Sequence, residues 1–151
     1  MQPQLQRHAS FQVAGPSART TIHDEHDPAA ARIVGLWVRF FDERFYESTC
    51  HRTADRRLYG VYSSYDAKAR NVFDVTTGIA VSGGPSAVRI EDGDYLVFSG
   101  QGRMPQTVRD IWKTISRYFE EHPEIERLYR SDFEAYSGPE HVSIHIGVSL
   151  D

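Results

Sequence analysis

The sequence predicts an α+β domain made of two similar strand-helix-strand-strand (βαββ) units, with an antiparallel sheet, two long helices and a central cleft. Two stretches carry apolar residues at helical spacing, and strand-like segments flank each of them. Short aromatic motifs recur at nearly the same interval in both halves, which indicates a tandem duplication with pseudo-twofold symmetry. The chain has 151 residues, of which 40% are hydrophobic, and this suits one domain with one core.

The domain is predicted to span residues 10–151, because the first nine residues carry no apolar pattern that would anchor them. Residues 1–9 are therefore expected to form a flexible N-terminus. The first βαββ unit is assigned to residues 10–85 and the second to residues 86–151.

The first unit opens with a strand at 10–14, where polar and apolar residues alternate. Asp27 and Pro28 predict a helix start, since aspartate caps free amides and proline fits the first turn. Strands rich in β-branched and aromatic residues follow at 58–65 and 72–82 and form a predicted hairpin. The residues at helical spacing are Ile33, Leu36, Trp37, Phe40 and Arg44, and the apolar stripe is widened by Val34, Val38, Phe41 and Phe45.

The second unit repeats this order. A turn at 93–94 precedes a short buried strand at 95–98, and a helix begins near Pro105. Two further strands are predicted at 132–137 and 141–149. One side of the last strand is apolar, formed by Val142, Ile144, Ile146 and Val148.

The two units can be superimposed through their aromatic residues. Trp37 in the first predicted helix corresponds to Trp112 in the second, and Tyr62 corresponds to Tyr136 in the strand that follows each helix. We expect the two copies to pair through their sheets, because this buries two half-covered apolar faces. Such pairing creates a cleft along the pseudo-twofold axis, and clefts of this kind are favoured positions for small-molecule sites.

One position in the repeat predicts the chemistry of the cleft. Glu134 corresponds to Gly60, so one unit supplies a carboxylate and the other leaves empty volume opposite it. A desolvated carboxylate and aromatic faces both attract cations, which predicts a pocket for a flat apolar cation. The alternative is a surface carboxylate with core tryptophans. The predicted ligand-binding residues are Glu134, Tyr136, Trp112, Trp37, Tyr62, Gly60 and Phe40.

The same residues carry a resemblance. Leu36 and Trp37, the YGVY strand at 59–62 and the DFEAY strand at 132–136 resemble the GyrI-like effector-binding family. The resemblance implies a tandem of strand-helix-strand-strand units that binds hydrophobic, often cationic, drugs and dyes, as in the sensor domains of AraC-type and MerR-type bacterial activators. It also implies that Glu134 is the buried, ligand-facing glutamate. No helix-turn-helix pattern precedes residue 10, so a free-standing sensor or sequestering protein is expected.

Other functions are disfavoured or left open. The net charge of -4 and the pI near 6.0 argue against direct nucleic-acid binding, and no apolar stretch is long enough for a membrane span. A cytoplasmic protein with no cofactor is expected, and Cys50 is its only cysteine. His23 and His26 fit a solvated helix entry better than a metal site, so no metal is predicted.

Three alternatives concern activity and partners. Some GyrI-like proteins resemble hydrolases of cyclopropane-bearing genotoxins, in which Glu134 would be the catalytic base. A protein-interaction role, such as inhibition of DNA gyrase, is a further possibility. A homodimer and a separate regulatory partner protein are both left open.

Overall fold

The computed structural model describes residues 2–84 and 87–150. The predicted boundary between the units, at 85 and 86, lies outside the described residues, as do Met1 and Asp151. The helices are α1 (Ile22–Glu25), α2 (Ile33–Asp42), α3 (Phe45–Ser48) and α4 (Gln106–Glu121). The strands are β1 (Gln4–His8), β2 (Phe11–Ala14), β3 (Ser17–Thr21), β4 (Leu58–Ser63), β5 (Val72–Val81), β6 (Val88–Ile90), β7 (Gly93–Gln101), β8 (Glu126–Arg127), β9 (Ser131–Gly138) and β10 (His141–Ser149).

All strands join one antiparallel sheet in the order β1-β7-β10-β9-β4-β5-β2-β6, with β3 beside β5 and β8 beside β10. The predicted α+β class and antiparallel sheet are confirmed. The two units meet at the central β4–β9 pair, where Gly60 lies directly opposite Glu134. The residues that the repeat makes equivalent are therefore direct neighbours at the centre of the sheet.

The apolar side of β10 behaves as predicted. Ile144 and Ile146 are fully buried and pack in one cluster with Ile111 and Ile115 of α4. On α2, by contrast, only Leu36 and Phe40 are buried. The predicted widening of its core stripe is wrong for three residues, which face outward and are more than half exposed: Val34, Val38 and Phe41.

The predicted helix start at Asp27 and Pro28 is wrong. The carboxylate of Asp27 instead accepts the Ala29 amide in a local turn. The helix begins at Ile33 because Glu25 reaches its first free amides. Its carboxylate accepts the Arg32 N–H at 2.9 Å and the Ile33 N–H at 3.2 Å, which caps the helix from a preceding segment.

The expected flexible start is also wrong for residues 4–8, which form β1 along the edge of β7. The His8 ring ties this strand to the sheet, with Nε2 lying 2.9 Å from Nδ1 of His145. The predicted turn at 93–94 is part of β7, since Gly93 pairs with His8 and Asp94 pairs with Arg7. The pairing was not visible in the sequence because β1 exposes nearly all its side chains to solvent.

Candidate functional site

Glu134 lies at the middle of β9 on the face of the sheet that carries α2 and α4. Only 4% of the residue is exposed. Its position follows from strand alternation, because Phe133 and Ala135 point to the opposite face and join another apolar cluster. The prediction of a buried carboxylate at the junction of the two units therefore matches the geometry.

Three neutral groups donate hydrogen bonds to the Glu134 carboxylate. Oε2 accepts the Tyr62 hydroxyl at 2.8 Å and the Trp112 indole N–H at 2.8 Å. Oε1 accepts the Tyr136 hydroxyl at 2.7 Å. No lysine, arginine or histidine pairs with Glu134 among the residues that the structure describes. The carboxylate is thus well hydrogen-bonded but has no internal counterion.

The buried environment shifts the pKa values of Glu134 and of two of its tyrosine neighbours. Burial raises the pKa of Glu134, and the three hydrogen bonds, which act in the opposite direction, do not cancel that effect. Burial also raises the pKa of Tyr62 and of Tyr136, and the nearby Glu134 charge raises both further. The two phenols therefore keep their protons at neutral pH and act as donors.

Two edge-to-face ring pairs flank the carboxylate. Trp37 packs against Tyr136 with ring centroids 5.5 Å apart, and Trp112 packs against Tyr62 at 5.2 Å. Each tryptophan comes from one unit and contacts the tyrosine of the other, as the pseudo-twofold relation requires. The repeat thus builds an aromatic enclosure on both sides of Glu134.

The two halves of the enclosure differ at the space above Gly60. A Cβ atom added at Gly60 would lie 3.0 Å from Oε1 of Glu134 and 3.6 Å from Cζ2 of Trp37. The predicted empty volume is therefore filled by the carboxylate and the Trp37 ring. It is filled because the Glu134 side chain crosses from β9 towards β4 to reach its donors on both units.

Phe40 was predicted to contact the ligand, and the structure places it behind the enclosure. It is 1% exposed, clusters with Ile79 and Val81, and meets the Trp37 ring edge-on at 5.9 Å. Its geometry is that of a residue supporting Trp37. The other six predicted residues converge on the carboxylate or on the space beside it.

Asp132 is a second buried carboxylate that the sequence analysis did not select. It lies on β9 two residues before Glu134, on the same face, and is fully buried. Its oxygens accept the Tyr65 hydroxyl at 2.6 Å, Nη2 of Arg127 at 2.9 Å and the Gly147 amide at 2.9 Å. The alternation that selected Glu134 also places Asp132 on this face, so the period-two spacing was the available signal.

The described residues show neither a metal cluster nor a membrane-spanning helix. No three histidine, cysteine, aspartate or glutamate side chains in 2–84 and 87–150 come together as metal ligands. No helix in these ranges has the length and apolar character to cross a bilayer.

Comparison with known proteins identifies the family. The model of the Cass2 family, integron-associated effector binding proteins, matches residues 4–148. The chain belongs to this family. The predicted resemblance to GyrI-like effector-binding domains is thereby confirmed. Among curated protein sequences, none matches this one.

Solved structures share the fold. The integron cassette protein VCH_CASS2 from the mobile metagenome of Vibrio cholerae is 31% identical, with a TM-score of 0.79, covering 98% of this chain and 96% of that one. SAV2435 bound to tetraphenylphosphonium is 17% identical, with a TM-score of 0.78 over 99% and 94% of the chains. EcmrR in a complex with DNA is 12% identical, with a TM-score of 0.65 over 99% of this chain and 58% of that one. The fold therefore occurs both in small proteins and within a larger DNA-bound protein.

Proposed function

We propose that this effector-binding protein binds hydrophobic, monovalent cations in the aromatic enclosure around Glu134. One observation carries the proposal: a buried carboxylate with three neutral donors and, in the described part of the chain, no counterion. A buried carboxylate without a charge partner is costly to ionise. A cationic ligand supplies the missing charge, so it gains more from this site than a neutral ligand of the same shape.

The aromatic rings favour the same ligand class. Trp37, Trp112 and Tyr136 are half-buried, so a ligand can reach their rings by small displacements of side chains at the surface. Cation–π contact contributes about 0.5 to 2 kcal/mol per ring, depending on desolvation. SAV2435, which has the same fold, has been solved with the lipophilic cation tetraphenylphosphonium, and this supports the proposed ligand class.

The test compares a cation with a neutral molecule of similar shape. We expect Glu134→Gln to weaken binding of tetraphenylphosphonium by roughly 1 to 3 kcal/mol, because the charge is lost while the size and shape of the side chain are kept. Binding of neutral triphenylphosphine oxide should be nearly unchanged. Isothermal titration calorimetry measures both affinities, and Glu140→Gln removes an exposed carboxylate as the matched control.

Two results would contradict the proposal. Equal losses for the cation and the neutral ligand would mean that Glu134→Gln damages the shape of the enclosure. If the wild-type protein bound the cation no more tightly than the neutral ligand, the Glu134 charge would have no role in ligand selection.

A binding role also fits the groups around Glu134 better than the hydrolase alternative. The hydrolase alternative needs the Glu134 carboxylate as a base, but its oxygens already accept hydrogen bonds from Tyr62, Tyr136 and Trp112, which leaves them less available to take a proton from water. We propose a sensor or sequestering role, with cytoplasmic location and a homodimer or regulatory partner as further predictions. Recovery of a cyclopropane-bearing electrophile unchanged after incubation would agree with binding, whereas a hydrolysed product would support the enzyme.

A further inference from the structure

A pocket that is open to solvent lies away from the aromatic enclosure, between α3 and the segment that leads into β4, and both of its arginines, Arg52 and Arg56, are exposed. Its volume is about 500 Å³, which is in the range of small-molecule sites. None of the residues around Glu134 lines it. The lining residues are Tyr46, Thr49, His51, Arg52, Thr53, Ala54, Asp55, Arg56 and Ile79.

The charges in this cavity are not balanced. The Asp55 carboxylate forms a two-point contact with Arg57, with both N–O distances at 3.1 Å, and also accepts the Tyr59 hydroxyl. The ion pairs of the described residues include neither Arg52 nor Arg56. The cavity therefore has a net positive charge in a protein whose overall charge is -4.

Both guanidinium groups are anchored to a single residue. Nη1 of Arg52 donates to the backbone oxygen of Tyr46 at 2.8 Å, and Nη1 of Arg56 donates to the Tyr46 hydroxyl at 3.2 Å. The Arg52 guanidinium also lies 5.2 Å from the centre of the Tyr46 ring. These contacts use one nitrogen of each group, so the remaining N–H groups are available as planar donors for an oxyanion.

We propose that this cavity binds a small organic anion, with a carboxylate or phosphoryl group held by Arg52 and Arg56. The apolar part of such a ligand would lie against the half-buried Tyr46 ring. Guanidinium groups match the geometry of planar and tetrahedral oxyanions and form strong charge-assisted hydrogen bonds with them. The site goes beyond the proposed function, since it would take ligands of the opposite charge.

The experiment is an NMR titration of the full chain with phenylphosphonate, with neutral benzyl alcohol as the comparison probe. We expect saturable shifts of the amides at 49–56 with phenylphosphonate only. Arg56→Gln should weaken its affinity about tenfold or more, and Arg56→Lys, which keeps the charge, should weaken it less. Arg117→Gln, on an exposed position of α4, is the matched control and should bind as the wild type does.

The amide spectrum of each variant shows whether it is folded. Arg56 is the better position to change because, among the described residues, its guanidinium donates only to the Tyr46 hydroxyl, so its loss should disturb the fold little. The absence of saturable shifts at 49–56 would overturn the proposal. An equal loss of affinity in Arg117→Gln would do so as well, because the effect would then follow net charge. Glu134→Gln should leave phenylphosphonate binding unchanged, so this site and the cation site are tested separately.

Discussion

Two buried carboxylates on the same face of β9 have opposite electrostatic environments. Asp132 pairs with the Arg127 guanidinium and accepts further bonds from Tyr65 and the Gly147 amide. Glu134, two residues later, accepts hydrogen bonds only from neutral groups among the described residues. One charge is balanced within the protein and the other is not. The comparison shows that burial alone does not mark a ligand site, and that a missing counterion is the more specific sign.

The β4 residues that pair with the two carboxylates also differ, in the size of their side chains. Tyr62 lies opposite Asp132, whereas Gly60 lies opposite Glu134. The Arg127 side chain is further held in place, with its guanidinium 4.4 Å from the centre of the Tyr129 ring. Both carboxylates have large neighbours, but only Glu134 pairs across the sheet with a residue that has no side chain, Gly60.

The largest expected effect is on stability. We expect Asp132→Asn to lower the free energy of unfolding by about 3 to 5 kcal/mol, because it leaves the Arg127 guanidinium buried without its counterion. Glu134→Gln should change the free energy by only about 1 kcal/mol, since no buried cation loses a partner. Urea denaturation followed by circular dichroism measures both values. Similar losses in the two variants would show that the carboxylates are equivalent and would remove the basis of the comparison.

The next expected effect is a pH dependence of cation binding. The pKa of Glu134 is raised by burial, so its carboxyl group keeps its proton above the ordinary glutamate range. Affinity for tetraphenylphosphonium should therefore rise with pH, and below the pKa it should fall about tenfold per pH unit. By the same linkage, the stability that Glu134 contributes is present below its unfolded-state pKa and is lost as the pH rises through its folded-state pKa.

Calorimetric titrations between about pH 5 and about pH 8 test this dependence, with a pKa near 4.3 expected for an unperturbed glutamate. Glu134→Gln is the control and should give a flat profile over the same range. A wild-type profile as flat as that of the variant would show that the carboxylate is already ionised without a ligand.

The sequence predicted the centre of the site better than its surroundings. The equivalence of Gly60 and Glu134 was predictable because a duplicated strand register fixes which residues meet across the sheet. The capping of α2 by Glu25 was not predictable, because the Glu25 side chain reaches amides seven and eight residues away across an irregular segment. Strand β1 was missed because pairing with β7 depends on backbone hydrogen bonds, which leave no apolar pattern. The position of the Trp37 ring depends on side-chain packing, which the repeat does not specify.

The smallest expected effect concerns the space beside Glu134. In Gly60→Ala the added methyl group would lie 3.0 Å from Oε1 of Glu134, so the carboxylate must shift and the enclosure must narrow. We expect tetraphenylphosphonium binding to weaken by about 1 kcal/mol, as for a modest overpacking. Gly35→Ala is the matched control, because nothing lies within 4 Å of its added methyl group on α2. It should leave binding unchanged and stabilise the helix by about 0.5 to 1 kcal/mol. Unchanged binding in Gly60→Ala would mean that the position of the Glu134 carboxylate over Gly60 does not determine cation binding.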